Sequence, residues 1–392
     1  MRVARPWIGV VAALALIAAG SAGCSRFKEP PPVQMAHLGT YPERFRVLFG
    51  GDTSFGESYG KEARDLLARR GYDYPLAKLK PLMAASDFVA LNLETPITDL
   101  KRSPFTGDKD YVHWTDVVQA PKQLVAHGVK LVTLGNNHTL DYGRDGLDQT
   151  LRILEKNGIR WIGAGKTERQ ARDPYLGEVA VGGKAFQFAI LGGFEYSRMY
   201  DTKYDFYAKG RKGGAARLSD GAMAKQIARL RAQYPGIYVI VFPHWGQNYA
   251  WKVERQTTAA RAWIDAGADL IVGHGGHVMQ EIERYNGHLI LYGIGNFMFN
   301  SEGRFKKLDT PPFGLPVQLI LAPGPEGLTK TIRGYPILSD NRLTDYQPRF
   351  LTPEEFDRAA QLLRERSGEL VRFDAEVHRG EDAVGKYLEI GL

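Results

Sequence analysis

Cysteine is nearly absent: Cys24 stands alone among 392 residues. One cysteine allows no intrachain disulfide and no cysteine-based zinc site. Long apolar runs are also scarce. Trp7 to Ala19 comes nearest, and it is shorter than the roughly 20 residues of a comfortable membrane-spanning helix. No internal repeat and no nucleic-acid motif is visible, so no nucleic-acid partner is expected. Charge is plentiful but biased, with 51 Lys and Arg against 44 Asp and Glu, a net of +7. That bias suits an acidic polymer, a phosphate-bearing substrate or an anionic membrane surface; it equally serves as ordinary solubilising charge. A hydrophobic fraction of 44% and a mean hydropathy of -0.30 describe a soluble globular chain. Its length fits one large domain or two medium ones.

The N-terminus is organised. Arg2 and Arg5 precede the apolar run, and Ser21-Ala22-Gly23-Cys24 follows it. This resembles a bacterial lipoprotein signal peptide in which Cys24 becomes the lipidated first residue. The usual pattern has Leu where this chain has Ser21. Ordinary cleavage near Ala22 and an uncleaved anchor are the other readings, and all three export the protein. Residues 1–24 are therefore expected to be a signal segment. Residues 25–43, with Pro30-Pro31-Pro32, are read as an extended tether. The expected location is the bacterial cell envelope, as a membrane-anchored lipoprotein.

Beyond residue 44, strand-like and helix-like patterns alternate in both halves, with hairpin patterns at 175–191 and 278–292. Two sheets covered by helices, an α/β sandwich, account for this better than one doubly wound sheet. No linker interrupts residues 44–340, which are read as one domain. Residues 341–392 form a C-terminal segment whose helix opens on Thr352-Pro353-Glu354-Glu355, capping-box chemistry.

Chemistry gathers where apolar runs stop. Leu131 to Leu134 ends at Gly135, and Asn136, Asn137, His138 and Asp141 follow. Four other strand patterns end at Asp52, at Glu94, at His244 and at the pair His274 and His277. In open α/β sheets, ligands bind beyond the carboxyl ends of strands. Carboxylate, amide oxygen and imidazole suit a divalent ion such as Mn²⁺, Fe²⁺ or Zn²⁺, and a carboxylate such as Glu94 can bridge two ions. Taken singly, Asp52 could be a turn or cap residue, Asn136 and Asn137 a turn, and His244 a packed neighbour of Trp245. Coincidence at every strand end is far harder to accept.

Gly50-Gly51-Asp52, Asn92-Leu93-Glu94, Asn136-Asn137-His138 with Asp141-Tyr142-Gly143, His244-Trp245-Gly246, the His274 to His277 loop and Gly295-Asn296-Phe297 follow one order. In that order the chain resembles CapA, the poly-γ-glutamate capsule synthesis proteins, which are related to calcineurin-like metallophosphoesterases. The resemblance covers roughly residues 44 to 300. It implies a four-layer α/β/β/α sandwich of metallophosphoesterase type with two divalent metal ions at its strand ends. It implies Asp52, Glu94, Asn137, His244 and His277 as ligands, and His138 as the acid that protonates a leaving group. The chain departs from the family twice. Ser54 replaces the His of the metallophosphoesterase Asp-x-His, as is usual in CapA. Gly275-Gly276-His277 replaces the usual His-Pro-His, so one ligand is missing unless His274 supplies it. Restoring His at position 275 is expected to tighten the second ion, unless Gly275 adopts positive φ.

The resemblance implies a tethered metal-dependent hydrolase or transferase of capsule or cell-envelope polymer metabolism. The alternative is a binding or assembly protein with a vestigial metal site. Either would partner an anionic polymer such as poly-γ-glutamate, or other capsule-machinery proteins. Glu195 to Gly214 mixes aromatics with bases, which suits such a polymer as well as it suits a loop packed on the domain edge.

Overall fold

Period-two alternation sorts the strands' side chains onto distinct faces. In the strand Phe45–Ser54, residues Phe45, Val47 and Phe49 enter one apolar cluster and Leu48 another. The strand Phe88–Leu93 does the same, with Phe88 and Ala90 set against Val89, Leu91 and Leu93. Across the shared cluster, Phe188 and Ile190 of Lys184–Glu195 point inward, while Ala189 and Leu191 point outward. Tyr238–His244 repeats this with Ile240 and Phe242 against Val239 and Val241. The computed structural model describes residues 33–392 apart from Tyr59, and of Asp220 only the backbone. The expected signal segment, with Cys24, lies outside the described residues.

A nine-stranded sheet has the order His378–Glu381, Lys386–Gly391, Gly327–Gly334, Val317–Gly324, Phe45–Ser54, Phe88–Leu93, Val129–Thr133, Arg160–Ile162, with Asn296–Phe299 beside Phe45–Ser54. Its last four strands in this order run parallel. An eight-stranded sheet has the order Ala36–Tyr41, Tyr175–Val181, Lys184–Glu195, Tyr238–His244, Leu270–Val272, His288–Leu291, Ile282–Tyr285, with Arg217–Leu218 beside Lys184–Glu195. Lys184–Glu195 through His288–Leu291 is its parallel run. The helices Lys61–Arg70, Gln119–Ala126 and Gly143–Lys156 cover the outer face of the first sheet through Leu67, Leu124, Leu147 and Leu151. Asp220–Gln233 and Glu254–Asp265 cover the outer face of the second through Ile227, Ala260 and Trp263. The three clusters thus stack helices, sheet, sheet and helices. Both expected hairpins form, on turns whose residues Gly182, Gly183, Asn286 and Gly287 all have positive φ.

Two expected boundaries move. The tether reading of 25–43 fails at its end, because Ala36–Tyr41 pairs in parallel with Tyr175–Val181. This strand lies at the sheet edge and is half exposed, so its sequence shows little apolar alternation. The boundary at 340 also falls inside one unit, Val33–Leu392. The helix Pro353–Ser367 has the expected capping box and buries Phe356, Ala359 and Leu363 in the central cluster. Lys386–Gly391 then pairs with Gly327–Gly334. Among the described residues, no helix is long and apolar enough to cross a membrane.

Candidate metal centre

The parallel strands of the two sheets deliver their C-terminal ends to one buried cluster. Asp52 reaches it because the strand Phe45–Ser54 passes hard against Gly295. Asp52 N–H donates to the Gly295 carbonyl at 3.0 Å, and a Cβ on Gly51 would stand 1.7 Å from that oxygen. Only glycine fits at 51, which explains the Gly-Gly before the acid. Asp52 and Glu94 are both fully buried. Asn92, one strand over, donates to Asp52 Oδ1 at 2.8 Å and to Glu94 Oε2 at 3.3 Å, and so holds the two carboxylates together.

The second sheet supplies imidazoles. His244 and His274 are linked across their parallel strand ends, with their Nδ1 atoms 3.3 Å apart. His274 Nδ1 is also 3.4 Å from Asp52 Oδ1. His277 Nδ1 lies 3.1 Å from Asp52 Oδ2 and 2.9 Å from Asn296 Oδ1, and its Nε2 lies 4.0 Å from Glu94 Oε1. Two overlapping groups could hold a metal ion: Asp52, His244 and His274; and Asp52, Glu94 and His277. Asp52 belongs to both, whereas Glu94, expected as the bridge, belongs to one. His274 stands with His244 and Asp52.

The loop after Val129–Thr133 divides its work between two asparagines. Asn136 is a scaffold. Its Nδ2 donates to Asn92 Oδ1 and to the Leu93 carbonyl, and its Oδ1 accepts from His138 N–H. Asn137 lines one cavity with Tyr200, and its Oδ1 is buried without a hydrogen-bond partner. Glu94 Oε1 is buried in the same condition. Unpaired buried oxygens are costly, and both belong to ligand-type residues at the cluster. The donor set of carboxylates, imidazoles and an amide oxygen therefore fits divalent cations on the chemistry of its atoms.

Burial and its neighbours set the charges. Burial works against the Asp52 charge, but hydrogen bonds from His274 and His277 outweigh it and hold the carboxyl well below its usual range. Burial and the nearby Asp52 charge push Glu94 well above its usual range. Burial, with Lys109 adding to it, holds His138 well below the ordinary histidine value.

His138 sits in a network that the sequence reading did not anticipate. Its Nδ1 is 2.6 Å from Asp141 Oδ2, which also accepts from His113 N–H at 2.6 Å. Lys109 Nζ reaches Asp141 Oδ1 at 2.5 Å and His138 Nδ1 at 3.1 Å. The His113 ring stacks on His138 with centroids 3.4 Å apart. Asp141, the closest partner of Nδ1, assigns that nitrogen as the donor and leaves Nε2, 3.8 Å from Glu94 Oε1, to handle a proton. His113, His138 and Asp141 are also close enough to hold an ion, but the Lys109 ammonium already serves as the cation there. A cavity of about 700 Å³ opens beside the cluster, lined in part by Asn137, His138, His277, Tyr200, Tyr249 and Arg304. Most of the aromatic and basic segment 195–214 packs on the domain: Phe206 and Tyr207 are buried, and Lys209 and Lys212 pair with Asp201 and Asp205.

The chain is 28% identical over 265 residues to "Capsule biosynthesis protein CapA" of Bacillus anthracis, covering 66% of this chain and 60% of that one. It is 32% identical over 245 residues to "PGA biosynthesis protein CapA" of Bacillus subtilis (strain 168), covering 62% and 60%. A "Probable polyglutamine synthesis accessory protein" of Mycobacterium tuberculosis is 33% identical over 227 residues, covering 56% and 57%. The chain thus spans about 60% of the length of these curated relatives. A solved structure described as a novel phosphatase from Mycoplasma pneumoniae aligns with 82% of this chain and 99% of its own, at 13% identity and a TM-score of 0.36. Residues 46–301 match the family described as "Bacterial capsule synthesis protein PGA_cap". Every strand-end candidate from Asp52 to His277 lies inside that match, and the chain belongs to this family of capsule synthesis proteins.

Proposed function

We propose that this protein is a metal-dependent hydrolase or transferase of phosphoesterase type, acting in the synthesis of a poly-glutamate capsule or a related cell-envelope polymer. One observation carries the reading. Asp52, Glu94, Asn137, His244, His274 and His277 converge from both sheets, and Glu94 Oε1 and Asn137 Oδ1 remain buried without hydrogen-bond partners. Asp52, His244 and His274 would hold one divalent cation. Asp52, Glu94 and His277 would hold a second, and Asn137 lines the same cavity as His277. Bound cations of this kind supply Lewis acidity for an anion that develops during the reaction.

The chain's own residues do the rest. Asp141 holds the His138 ring through Nδ1, so that Nε2 can take or give a proton at a reacting oxygen. Asn92 keeps the two carboxylates in register. Burial excludes water from the cluster everywhere except the cavity side. The proposal includes export and attachment to the membrane through lipid on Cys24, supported by the sequence around that residue. Its expected partners are the anionic polymer and other components of the capsule machinery.

The test is metal analysis of the purified full chain, together with hydrolysis of a generic phosphodiester and of a γ-linked glutamate oligomer with added Mn²⁺. The expected result is bound divalent metal and turnover that Asp52→Asn abolishes. A protein that binds no metal and turns over neither substrate overturns the proposal and leaves the assembly role.

A further inference from the structure

Arg304 lines the cavity beside the cluster and makes no ion pair among the described residues. Its charged neighbours in the lining differ. Lys109 is neutralised by Asp141, and Glu302 is held by Arg342. Asp110 is exposed. Arg304 is instead seated on a ring: its guanidinium carbon lies 5.1 Å from the centroid of Tyr249. That ring is itself fixed. Tyr249 is buried, its N–H donates to the Gly276 carbonyl at 2.7 Å, and its carbonyl accepts from Thr310 Oγ1 at 2.8 Å. Phe305 packs edge-on against the ring at 5.0 Å.

Tyr249 is also one of the few non-glycine residues at positive φ, +58°, and so is His277 at +62°. Such backbones cost energy and persist where the surroundings over-determine them. Here the two strained residues face each other, with ring centroids 5.3 Å apart. The platform under Arg304 is therefore built from the same loops that place a candidate metal ligand. A guanidinium held this way loses little freedom on binding and offers a fork of N–H donors to an oxyanion.

We propose that Arg304, on its Tyr249 platform, is a subsite for an oxyanion of the substrate, a carboxylate or a phosphate carried one aromatic ring away from His277. This deepens the proposed function and rests on it, because it takes the cavity to be the substrate site. It makes the substrate a chain with an anionic group flanking the reacting bond.

The test is calorimetric titration of the full chain, with Mn²⁺ present, using three probes: a γ-linked glutamate hexamer, the same hexamer with its carboxylates amidated, and a glycerol phosphate oligomer. Arg304→Ala is expected to weaken the oxyanion probe by at least about tenfold, the scale of losing hydrogen bonds to a charged group. Arg304→Lys is expected to recover part of that loss, because it keeps the charge without the fork. The amidated hexamer is expected to bind weakly and to be indifferent to Arg304. Loss of the glutamate hexamer assigns a carboxylate, and loss of the glycerol phosphate oligomer assigns a phosphate. Equal binding by wild type and Arg304→Ala overturns the subsite, as does failure of both oxyanion probes to bind wild type. Metal content measured on the same samples reports separately on the proposed function. Bound metal with no Arg304 dependence removes the subsite alone.

Discussion

Gly275 donates its backbone N–H to both oxygens of the buried Asp52 carboxylate, at 3.1 and 3.3 Å. The imidazoles on either side of it, His274 and His277, reach the same carboxylate. The loop from 274 to 277 thus clamps Asp52 with backbone in the middle and rings at the ends. Gly275 acts through its backbone, which is why a side chain can be missing there while the residues around it keep their places.

Because Asp52 belongs to both candidate ion groups and Glu94 to one, their removal should differ. Asp52→Asn is expected to abolish binding of both ions, with affinity falling by more than the roughly 10–100-fold typical of outer-shell changes. Glu94→Gln is expected to weaken one ion and spare the other. Titration with Mn²⁺ and metal analysis measure both. Chelation of the wild type should lower its melting temperature, since ligands that bind only the native state stabilise it by about 2.7 kcal/mol at 100 times Kd. Equal losses in the two variants would remove the sharing role assigned to Asp52.

Lys109 and Asp141 form an ion pair whose side chains are 5% and 0% exposed. Removing one partner of a buried pair strands the other, at a cost of about 3–5 kcal/mol. Lys109→Met and Asp141→Asn should each destabilise the fold on that scale. The double variant should cost much less than their sum, because neither charge is then left alone. Urea unfolding of the four proteins yields the coupling directly, and additive losses would mean that the pair contributes no mutual stabilisation.

The strand-end residues were readable because each follows an apolar run, and a run that stops at a polar residue marks a sheet edge. Asp52, Glu94, His244, His274 and His277 all converge as that logic requires. Lys109 and His113 carried no such signal. They lie in a polar loop without period, and only the fold brings them against His138. Asn92 was visible as part of a motif, yet its role as donor to both carboxylates depends on the register between neighbouring strands. Ala36–Tyr41 escaped notice because an edge strand with one wet face needs little hydrophobic pattern. The capping box at Thr352 was legible because it is wholly local.

Glu57 offers a pH test away from the metal ligands. Burial raises its carboxyl above the usual range, although Tyr72, Thr115 and the Asp116 N–H all bond to Oε1. The native state therefore binds this proton more tightly than the unfolded chain does. Stability from Glu57 is fully present below the unfolded value of about 4.3 and is lost as pH rises through the native value. Glu57→Gln resembles the protonated form at every pH. The difference in melting temperature between the variant and wild type should thus shift in favour of the variant from pH 4 to pH 8. Parallel curves would show that Glu57 does not titrate abnormally.

Cys24→Ser tests export and anchoring. The first described strand begins at Ala36, so the substitution should leave the fold intact. The wild type is expected to partition with membranes and to carry a lipid-modified N-terminal Cys24. The variant is expected in the soluble fraction or as an unprocessed precursor. A variant that still sediments with membranes, with its N-terminus uncleaved, would make the segment a permanent anchor.

The resemblance implies an imidazole at position 275, and a count of ligands alone would favour Gly275→His. The structure meets the condition under which that gain is not expected. Gly275 has φ of +103°, a region L side chains rarely adopt, and a Cβ there would lie 3.0 Å from Cδ2 and Nε2 of His244. Both the strain and the contact fall on the clamp around Asp52. Gly275→His is therefore expected to destabilise the protein by about 1–3 kcal/mol, the usual cost of a forced backbone, and to weaken metal binding. Gly275→Ala should move both readouts in the same direction without adding a ligand, which separates backbone strain from metal chemistry. His274→Ala supplies the complement: if His274 supplies a ligand beside His244, its loss should remove one ion without the backbone strain that a side chain at 275 introduces. Melting temperatures and Mn²⁺ titrations on the three variants decide. Tighter binding of a second ion by Gly275→His, with no loss in His274→Ala, would show that His274 is not the replacement ligand and that the loop can reopen to seat a side chain at 275.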